Sequence, residues 1–415
     1  MYKKIYIPVD NSEYSTAGID ISISIARVFG AKCIGSHVYA ARLHDLRFKQ
    51  MESGLPPKYI EEEELEKQRD VHDSLITKGL KIITDSYLDV FEKKCKQAGV
   101  IFERRALEGR NFKVLAEDIK KTESDLVVMG ALGVGAVEDS VIGSVCERVV
   151  RRTNKDILVV KNTNNINKKK IIVGIDGSPM SYGGIKTAMA LAQIFGSEIE
   201  AVSVFDPFFH YAVFNNIVGV LSEDAGKLFK FKEQEKLHEE VIDSGLAKIY
   251  QSHLGISQKI ALDENLHIKT HLFDGKVFDK LLQYVKKEEP WLLIVGRAGI
   301  HSDGNDMEIG SNTENLLRMV SSNILICNRT FVPSIEATAE ETIVWTEEAI
   351  KNMEKIPAFA RGMARGAINR YAVDKGYTVI SSSVIDSAIE TILPQSMRES
   401  MGIKTTSTAD KKNKV

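Results

Sequence analysis

Short apolar runs alternate with longer amphipathic segments along most of the chain. The runs 4–9, 31–38, 100–106, 125–129 and 157–160 have the length of buried strands, and patterns of helical period separate them. Gly30 and Gly99 follow two of these helical patterns as stop signals. Strands that alternate with helices predict right-handed crossovers and a doubly wound, mostly parallel sheet.

The same pattern then restarts, with strands predicted at 170–175, 198–204, 266–273, 291–295 and 323–327. Single residues also recur 166 positions later: Asp10 as Asp176, Val38 as Val204, Gly130 as Gly296 and Gly133 as Gly299. Gly143-Ser144 recurs one residue further on, as Gly310-Ser311. A period of this size predicts two whole domains, each with its own core, rather than stacked repeats.

The pattern therefore predicts an α/β protein with two tandem doubly wound domains, each Rossmann-like with a five-stranded parallel sheet, and a small carboxy-terminal α-helical domain. We expect the domains at 1–161 and 170–328, linkers at 162–169 and 329–344, the helical unit at 345–394 and a disordered tail at 395–415. The two copies should pack through their last strands as an intramolecular pseudo-dimer, because each sheet would otherwise expose an edge. A homodimer of the whole chain stays open.

Composition narrows the function classes. Hydrophobic residues make up 43% of the 415 positions, and the formal net charge of −2 provides no basic excess for nucleic acid. The amino terminus has no apolar signal region and no stretch is long enough to span a bilayer, so we expect a cytoplasmic protein without a membrane partner. The four cysteines lack metal-binding spacing and are interpreted as buried thiols.

The glycine-rich loop of each copy is the candidate site, because ligands of open parallel sheets bind outside the carboxyl ends of the strands. Gly130 and Gly133 would let backbone N–H groups approach a phosphate, and Ser144 is expected to cap the next helix, whose amino end is partly positive. Asp10 is positioned for a ribose hydroxyl or an adenine edge. The alternative is that the glycines only form turns, but their recurrence disfavours it.

The sequence contains no P-loop lysine and no serine nucleophile elbow, so we expect no classical enzyme and at most a slow ATPase. His72 and His238 also obey the 166-residue offset, but each lies in a charged helical pattern typical of surface residues. Arg297 stands where copy one has Ala131. It is interpreted either as a fixed positive charge for the second site or as a solvated loop residue.

The spacing Gly130-x2-Gly133-x9-Gly143-Ser144 resembles the nucleotide-binding signature of the ATP-binding branch of the universal stress protein family, and Pro8-Val9-Asp10 with His37-Val38 looks like its adenine pocket. The resemblance implies ATP, with Mg²⁺ or Mn²⁺ to offset the acidic residues of the loops. It assigns adenine and ribose to Asp10 and Val38 in copy one and to Asp176 and Val204 in copy two. It assigns the phosphates to Gly130, Gly133, Gly143, Ser144 and Val145, and to Gly296, Gly299, Gly310, Ser311 and Asn312.

Trp345, the segment KIPAFARGMAR and Gly376-Tyr377-Thr378-Val379-Ile380 resemble the small carboxy-terminal domain of the light-independent protochlorophyllide reductase B subunit. Arg361 and Arg365, one helical turn apart, are the candidate contact pair of this unit. We expect an ATP-binding universal stress protein that acts as a nucleotide-dependent regulatory module, with this unit as the docking element for a protein partner. The alternatives are an accessory component of a reductive tetrapyrrole enzyme system, and a structural protein with vestigial pockets.

Overall fold

The computed structural model describes residues 1–137, 140–163, 170–206, 231–300 and 308–395, and in the helix that begins at Phe231 it describes side chains from residue 245 onward. Most of the expected linker 162–169 and the tail from residue 396 lie outside the described residues. The same holds for the loop residues Glu138, Asp139, Asp303 and Asp306, and for the side chain of His238.

Copy one contains the five predicted strands, with ends that differ from the prediction by at most two residues. A helix and two 3₁₀ turns lie in the polar segment before the long helix, where no element was predicted. The elements are β1 (Lys4–Pro8), α1 (Glu13–Phe29), β2 (Lys32–Tyr39), α2 (Ala41–Met51), α3 (Glu62–Ala98), β3 (Phe102–Glu108), α4 (Asn111–Thr122), β4 (Leu126–Gly130), α5 (Ser144–Arg152) and β5 (Asp156–Val160).

Copy two repeats this order within its described residues. Its elements are β6 (Lys170–Gly174), α6 (Pro179–Phe195), β7 (Glu198–Phe205), α7 (Phe231–Leu262), β8 (Lys269–Asp274), α8 (Val277–Glu288), β9 (Leu292–Gly296), α9 (Ser311–Met319) and β10 (Asn323–Cys327). The first helix of each copy begins in the same way, because Ser12 Oγ accepts a hydrogen bond from Ser15 N and Ser178 Oγ accepts one from Ser181 N, both at 3.1 Å.

The ten strands form one continuous sheet in the order β3-β2-β1-β4-β5-β10-β9-β6-β7-β8. Strands pair in parallel within each copy, and the two copies meet where β5 and β10 pair antiparallel, with Leu158 opposite Leu325. The predicted packing through the last strands is therefore confirmed, and it takes the form of direct strand pairing.

The cores follow from the alternation of side chains along buried strands. In β1, Ile5 and Ile7 belong to the cluster on one face of the sheet and Tyr6 to the cluster on the other face. Each cluster contains residues of both copies, so each face of the ten-stranded sheet carries one core that crosses the boundary between them. The two copies are thus packed as a single body.

Four charged side chains of α5 and α9 form a ring between the copies. Arg318 contacts Glu147 at 2.6 Å and Glu314 at 2.9 Å, while Arg151 contacts Glu314 and, at 3.3 Å, Glu147. Each helix contributes one glutamate and one arginine at equivalent positions, so the ring follows the twofold pseudosymmetry. A ring of alternating charges provides more stability than isolated surface pairs.

The carboxy-terminal unit has a separate small core, which includes Met353, Ile368 and Ile385. Its elements are β11 (Val344–Trp345), α11 (Glu347–Glu354), α12 (Ala358–Lys375), β12 (Val379–Ile380) and α13 (Ser382–Ile392). Thr346 caps α11 and Gly376, at φ 74°, ends α12, as predicted. The two short strands pair in parallel, which adds a strand pair to the helices expected here.

The segment 329–344, expected to be a linker, contains the helix α10 (Ile335–Thr342). Ser334 caps it by accepting a hydrogen bond from Ala337 N at 3.1 Å, and α10 packs against α7 and α12. Lys259 of α7 forms ion pairs with Glu340 and Glu341 at 2.5 and 3.2 Å. The segment is ordered because α10 connects copy two to the carboxy-terminal unit.

Candidate functional site

A cleft of about 580 Å³, here called cleft one, opens at the carboxyl ends of β1, β2 and β4. It contains all seven residues that the sequence assigns to copy one: Asp10, Val38, Gly130, Gly133, Gly143, Ser144 and Val145. These residues come from four separate segments of the chain. The parallel topology brings them together, because the strands that precede them end at the same edge of the sheet.

Asp10 is held by the turn between β1 and α1. Its Oδ1 accepts hydrogen bonds from Ser12 N at 3.1 Å and from Ser12 Oγ at 2.7 Å. The second carboxylate oxygen lies against the glycine loop, since a Cβ built on Gly133 would be 2.6 Å from Asp10 Oδ2. Any side chain at position 133 would therefore displace the carboxylate, and glycine avoids this contact.

The glycine loop leaves β4 and returns to the same point. Ala131 N donates to Val160 O at 2.8 Å, and Gly143 N donates to Ala131 O at 2.7 Å, which closes the loop just before α5. Gly143, not Ser144, occupies the N-cap position, and no side chain caps this helix. The prediction that Ser144 caps this helix is therefore wrong, because the N-cap position lies one residue earlier, at Gly143. Ser144 is the exposed first residue of α5, whose amino end faces cleft one.

His37 lies beside Asp10 in cleft one and is held from behind. Thr84 Oγ1 donates to Leu80 O at 2.8 Å and lies 2.8 Å from His37 Nδ1, so the hydroxyl oxygen accepts a hydrogen bond from Nδ1–H. Burial lowers the pKa of His37, and the Asp10 carboxylate partly offsets this effect. The imidazole is accordingly neutral near pH 7, with Nε2 as a hydrogen-bond acceptor.

Copy two forms an equivalent cleft of about 430 Å³, here called cleft two. It contains all seven residues assigned to copy two: Asp176, Val204, Gly296, Gly299, Gly310, Ser311 and Asn312. Asp176 Oδ1 accepts from Ser178 N and Oδ2 from Ile300 N, both at 3.0 Å. Gly310 N donates to Arg297 O at 2.8 Å, so the loop closes as in copy one despite its one additional residue.

Cleft two differs from cleft one in polarity. Val202 and Val277 line it where copy one has Ser36 and Asn111, and Tyr250 of α7 also lines it. Tyr250 packs edge-on against His253, whose ring lies over Gly177, which is held at φ 85°. Cleft two is therefore smaller and more apolar than cleft one.

Neither interpretation of Arg297 is correct. The side chain is only 2% exposed and points across the boundary between the copies, where Nη1 donates to Val150 O at 3.1 Å and Nη2 lies 3.5 Å from Arg151 O. These carbonyls end α5 of copy one, where a cation is favourable. Lys161 of copy one acts in the same way on α9, with Nζ donating to Leu317 O and to Val320 O, the latter at 2.9 Å.

Several residues of the clefts were not assigned from the sequence. Asn111, Ile142 and Cys146 line cleft one, and Tyr250 and Thr313 line cleft two. Asn111 could have been found, because it begins the helix after the recurrent glycines Gly109 and Gly275. The other four residues carry no sequence signal that separates them from ordinary core or helix positions.

Within the described residues, no group of three or more His, Cys, Asp or Glu side chains could hold a metal ion. No helix in that part of the chain is long and apolar enough to cross a membrane.

The fold and the site define a class: two fused α/β domains with one glycine-loop cleft in each. The model of the universal stress protein family matches residues 1–161 and again 168–328, so the chain belongs to that family. A second family model, described as Proto-chlorophyllide reductase 57 kD subunit, matches residues 345–388. Both resemblances stated from the sequence are thereby confirmed.

Three proteins are similar to this chain over different shares of its length. Universal stress protein MJ0531 of Methanocaldococcus jannaschii is 32% identical over 161 residues, which are 39% of this chain and 83% of that protein. A universal stress protein structure from Archaeoglobus fulgidus covers 79% of this chain and 98% of its own, with 16% identity and a TM-score of 0.48. UspA from Lactobacillus plantarum covers 38% of this chain and 97% of its own, with 18% identity and a TM-score of 0.29.

Proposed function

We propose that this universal stress protein binds ATP and uses the bound nucleotide to control its association with a protein partner. The observation that supports ATP most strongly is that seven residues assigned from the sequence converge in cleft one, and their counterparts converge in cleft two. The glycine loop offers backbone N–H groups, and the amino end of α5 adds a positive partial charge for phosphates. Asp10 and the neutral His37 supply polar groups for the nucleoside.

A divalent cation, Mg²⁺ or Mn²⁺, forms part of this proposal. The loops are acidic in sequence, and Glu308 of copy two remains exposed beside Gly310. Carboxylates next to a triphosphate repel it unless a cation lies between them, and both ions favour oxygen ligands of this kind. Nucleotide affinity should therefore fall when the cation is chelated.

The nucleotide acts as a ligand in this proposal and not as a substrate. The sequence has no P-loop lysine to stabilise phosphoryl transfer, and within the described part of cleft one Asp10 is engaged by the Ser12 turn. A ligand that binds one conformation more tightly shifts the population toward it. ATP would in this way favour one arrangement of the chain without being consumed.

The decisive experiment is to denature the purified protein, quantify the released nucleotide, and titrate the nucleotide-free chain with ATP in the presence and absence of Mg²⁺. We expect ATP binding at cleft one and hydrolysis far slower than one turnover per second. Absence of binding in both conditions contradicts the proposal. Hydrolysis at ordinary enzymatic rates would replace the binding module with an enzyme.

The carboxy-terminal unit is the proposed protein-binding element. Arg361 and Arg365 do not form a free contact pair: Arg361 Nη2 donates to Glu354 O at 2.9 Å, and the Arg365 guanidinium lies 5.3 Å from the centre of the Trp345 ring. Phe359 and Met363, one turn apart on α12, are instead 90% and 79% exposed. A partner retained equally by the wild-type chain and by Phe359→Ser would contradict a role for this face.

The match of residues 345–388 to a protochlorophyllide reductase subunit favours one second candidate, an accessory component of a reductive tetrapyrrole system. Its test is optical: the purified chain is titrated with protochlorophyllide, and binding shifts the pigment absorbance. A chain that ends at Ile343 is the control, because it lacks the matched unit.

A further inference from the structure

A second groove, of about 890 Å³, opens next to cleft one. It runs between α2 and the amino ends of α4 and α5, and Asn111 and Val145 line both spaces. We call it the arginine groove, because Arg42, Arg47, Arg110 and Arg148 line it. Its volume is that of a site for a small molecule.

The positive charge of this groove is concentrated around one aromatic ring. The guanidinium carbons of Arg110, Arg148 and Arg152 lie 5.0, 4.9 and 4.9 Å from the centre of the Phe112 ring. The three charges therefore lie within about 10 Å of one another, which is the screening length of a 0.1 M salt solution. Cation–π attraction to the ring compensates part of their mutual repulsion.

Within the part of the chain that the structure describes, carboxylates do not neutralise the remaining repulsion between these arginines. Glu108 is the acidic residue that lines the groove, and it pairs with Arg42 at 3.5 Å. Among the described residues, no carboxylate lies within ion-pair distance of Arg110 or Arg148, and both side chains are exposed. Uncompensated like charges at this distance are unfavourable unless an anion joins them.

The groove begins where the candidate phosphate site ends. Arg148 follows Ser144 by four residues on α5, so it lies on the same face of the helix, about 6 Å further along the axis. A phosphate chain that starts at the amino end of α5 and passes Val145 thus reaches Arg148 and Arg110. Arginine binds phosphate oxygens through two parallel N–H donors.

Copy two shows that these arginines are not required by the fold. It keeps the aromatic residue as Phe278 and a cation as Lys276, but Asn315 and Met319 replace the two arginines of α5. The ring is therefore accommodated without guanidinium groups around it. Among the described residues, a cluster of three arginines around one ring occurs in copy one and not in copy two.

We propose that cleft one and the arginine groove together bind an adenosine ligand whose phosphate chain is longer than that of ATP. Arg110 and Arg148 bind the additional phosphate. This inference rests on the proposed function, since it places adenosine in cleft one. Two ligands share this chemistry: a nucleoside tetraphosphate, and a dinucleoside tetraphosphate whose second nucleoside would occupy the groove beside the exposed Leu43 and Leu46.

The test is calorimetry on the full chain at one fixed low salt concentration, with ATP, adenosine 5′-tetraphosphate and diadenosine tetraphosphate. The wild-type chain should bind at least one tetraphosphate about tenfold more tightly than ATP, the gain expected from one charge-assisted contact. The double variant Arg110→Gln and Arg148→Gln should lose that gain and bind ATP within about twofold of wild type. Arg27→Gln, an exposed arginine of α1, is the matched control and should change neither.

The outcomes separate the alternatives. A gain with both tetraphosphates assigns the groove to the fourth phosphate, and a gain with the dinucleotide alone assigns it to the second nucleoside. No gain in the wild-type chain overturns the inference, as does an equal loss of ATP and tetraphosphate affinity in the double variant. If no adenine nucleotide binds, the proposed function fails first. In that case both chains are titrated with inorganic tripolyphosphate. Binding by the wild-type chain that is lost in the double variant supports the groove as a phosphate site, and absence of binding by the wild-type chain contradicts it.

Discussion

Substitution of Gly133 by alanine tests the geometry of cleft one most directly. The new Cβ would lie 2.6 Å from Asp10 Oδ2, closer than real Cβ atoms come to other heavy atoms. The backbone at Gly133 does not have a positive φ, so alanine introduces no conformational strain there. Any loss of ATP affinity in this variant should therefore result from displacement of the Asp10 carboxylate.

The expected loss can be estimated from the contacts of Asp10. The carboxylate accepts two hydrogen bonds from Ser12, so it cannot rotate freely, and displacement would remove the contact with the nucleoside that we propose for it. Loss of one charge-assisted hydrogen bond costs about 1.5–3 kcal/mol. ATP affinity should fall by roughly tenfold to a hundredfold.

Gly135 provides the matched control. It lies two residues further along the same loop, it also lines cleft one, and a Cβ built on it meets nothing within 4 Å. Calorimetric titration of both variants with ATP should show a loss for Gly133→Ala and an affinity within about twofold of wild type for Gly135→Ala. Equal affinity of Gly133→Ala and wild type would refute the assigned role of Asp10, and equal losses in both variants would show that the loop responds to any added methyl group.

Three further predictions concern stability and organisation. Burial lowers the pKa of Lys161 to about 8. Between about pH 8 and 10.4 the unfolded chain therefore binds more protons than the folded chain, and the free energy of unfolding rises with pH across that window. Lys161→Met should flatten this rise, as measured by urea unfolding at several pH values. Phe91→Ala, at a fully buried ring against Phe102, should cost about 3–5 kcal/mol in the same assay, whereas Phe359→Ala should be nearly neutral. A chain ending at Ile343 keeps α10 and should bind ATP like the full chain in calorimetry; a loss would show that the carboxy-terminal unit completes a cleft.

The sequence predicted the elements whose signals are local. The six central strands of the large sheet, β1, β4, β5, β10, β9 and β6, are short apolar runs. Ser12 and Gly376 mark helix ends with their own side chain or backbone conformation. The assigned residues of both clefts were predictable for a related reason: most of them recur in copy two at an offset of 166 residues, or of 167 after the glycine loop, and the parallel topology fixes which edge of the sheet they share.

The sequence did not predict several features that depend on contacts between distant segments. Arg297 looked like a loop residue because packing of the copies through their last strands, which was predicted, does not specify that the pairing of β5 with β10 brings Arg297 under the end of α5. The helix α10 was missed because its polar composition resembles a linker, and α7 and α12 supply the packing that orders it. The groups around Phe112 likewise come from α4 and α5, which meet only in the folded chain.

Arg297 and Lys161 lie at the boundary between the copies, and neither has a cationic counterpart in the other copy. This asymmetry affects how the protein can evolve. Two identical subunits would place each residue on both sides of their twofold axis. Here Arg297 takes the position that Ala131 has in copy one, and Lys161 takes the position that Asn328 has in copy two, so each half supports the other with a different residue at a different place. Fusion into one chain makes the protein equivalent to a heterodimer. A substitution in one half is therefore not repeated in the other half, and the two halves can evolve separately.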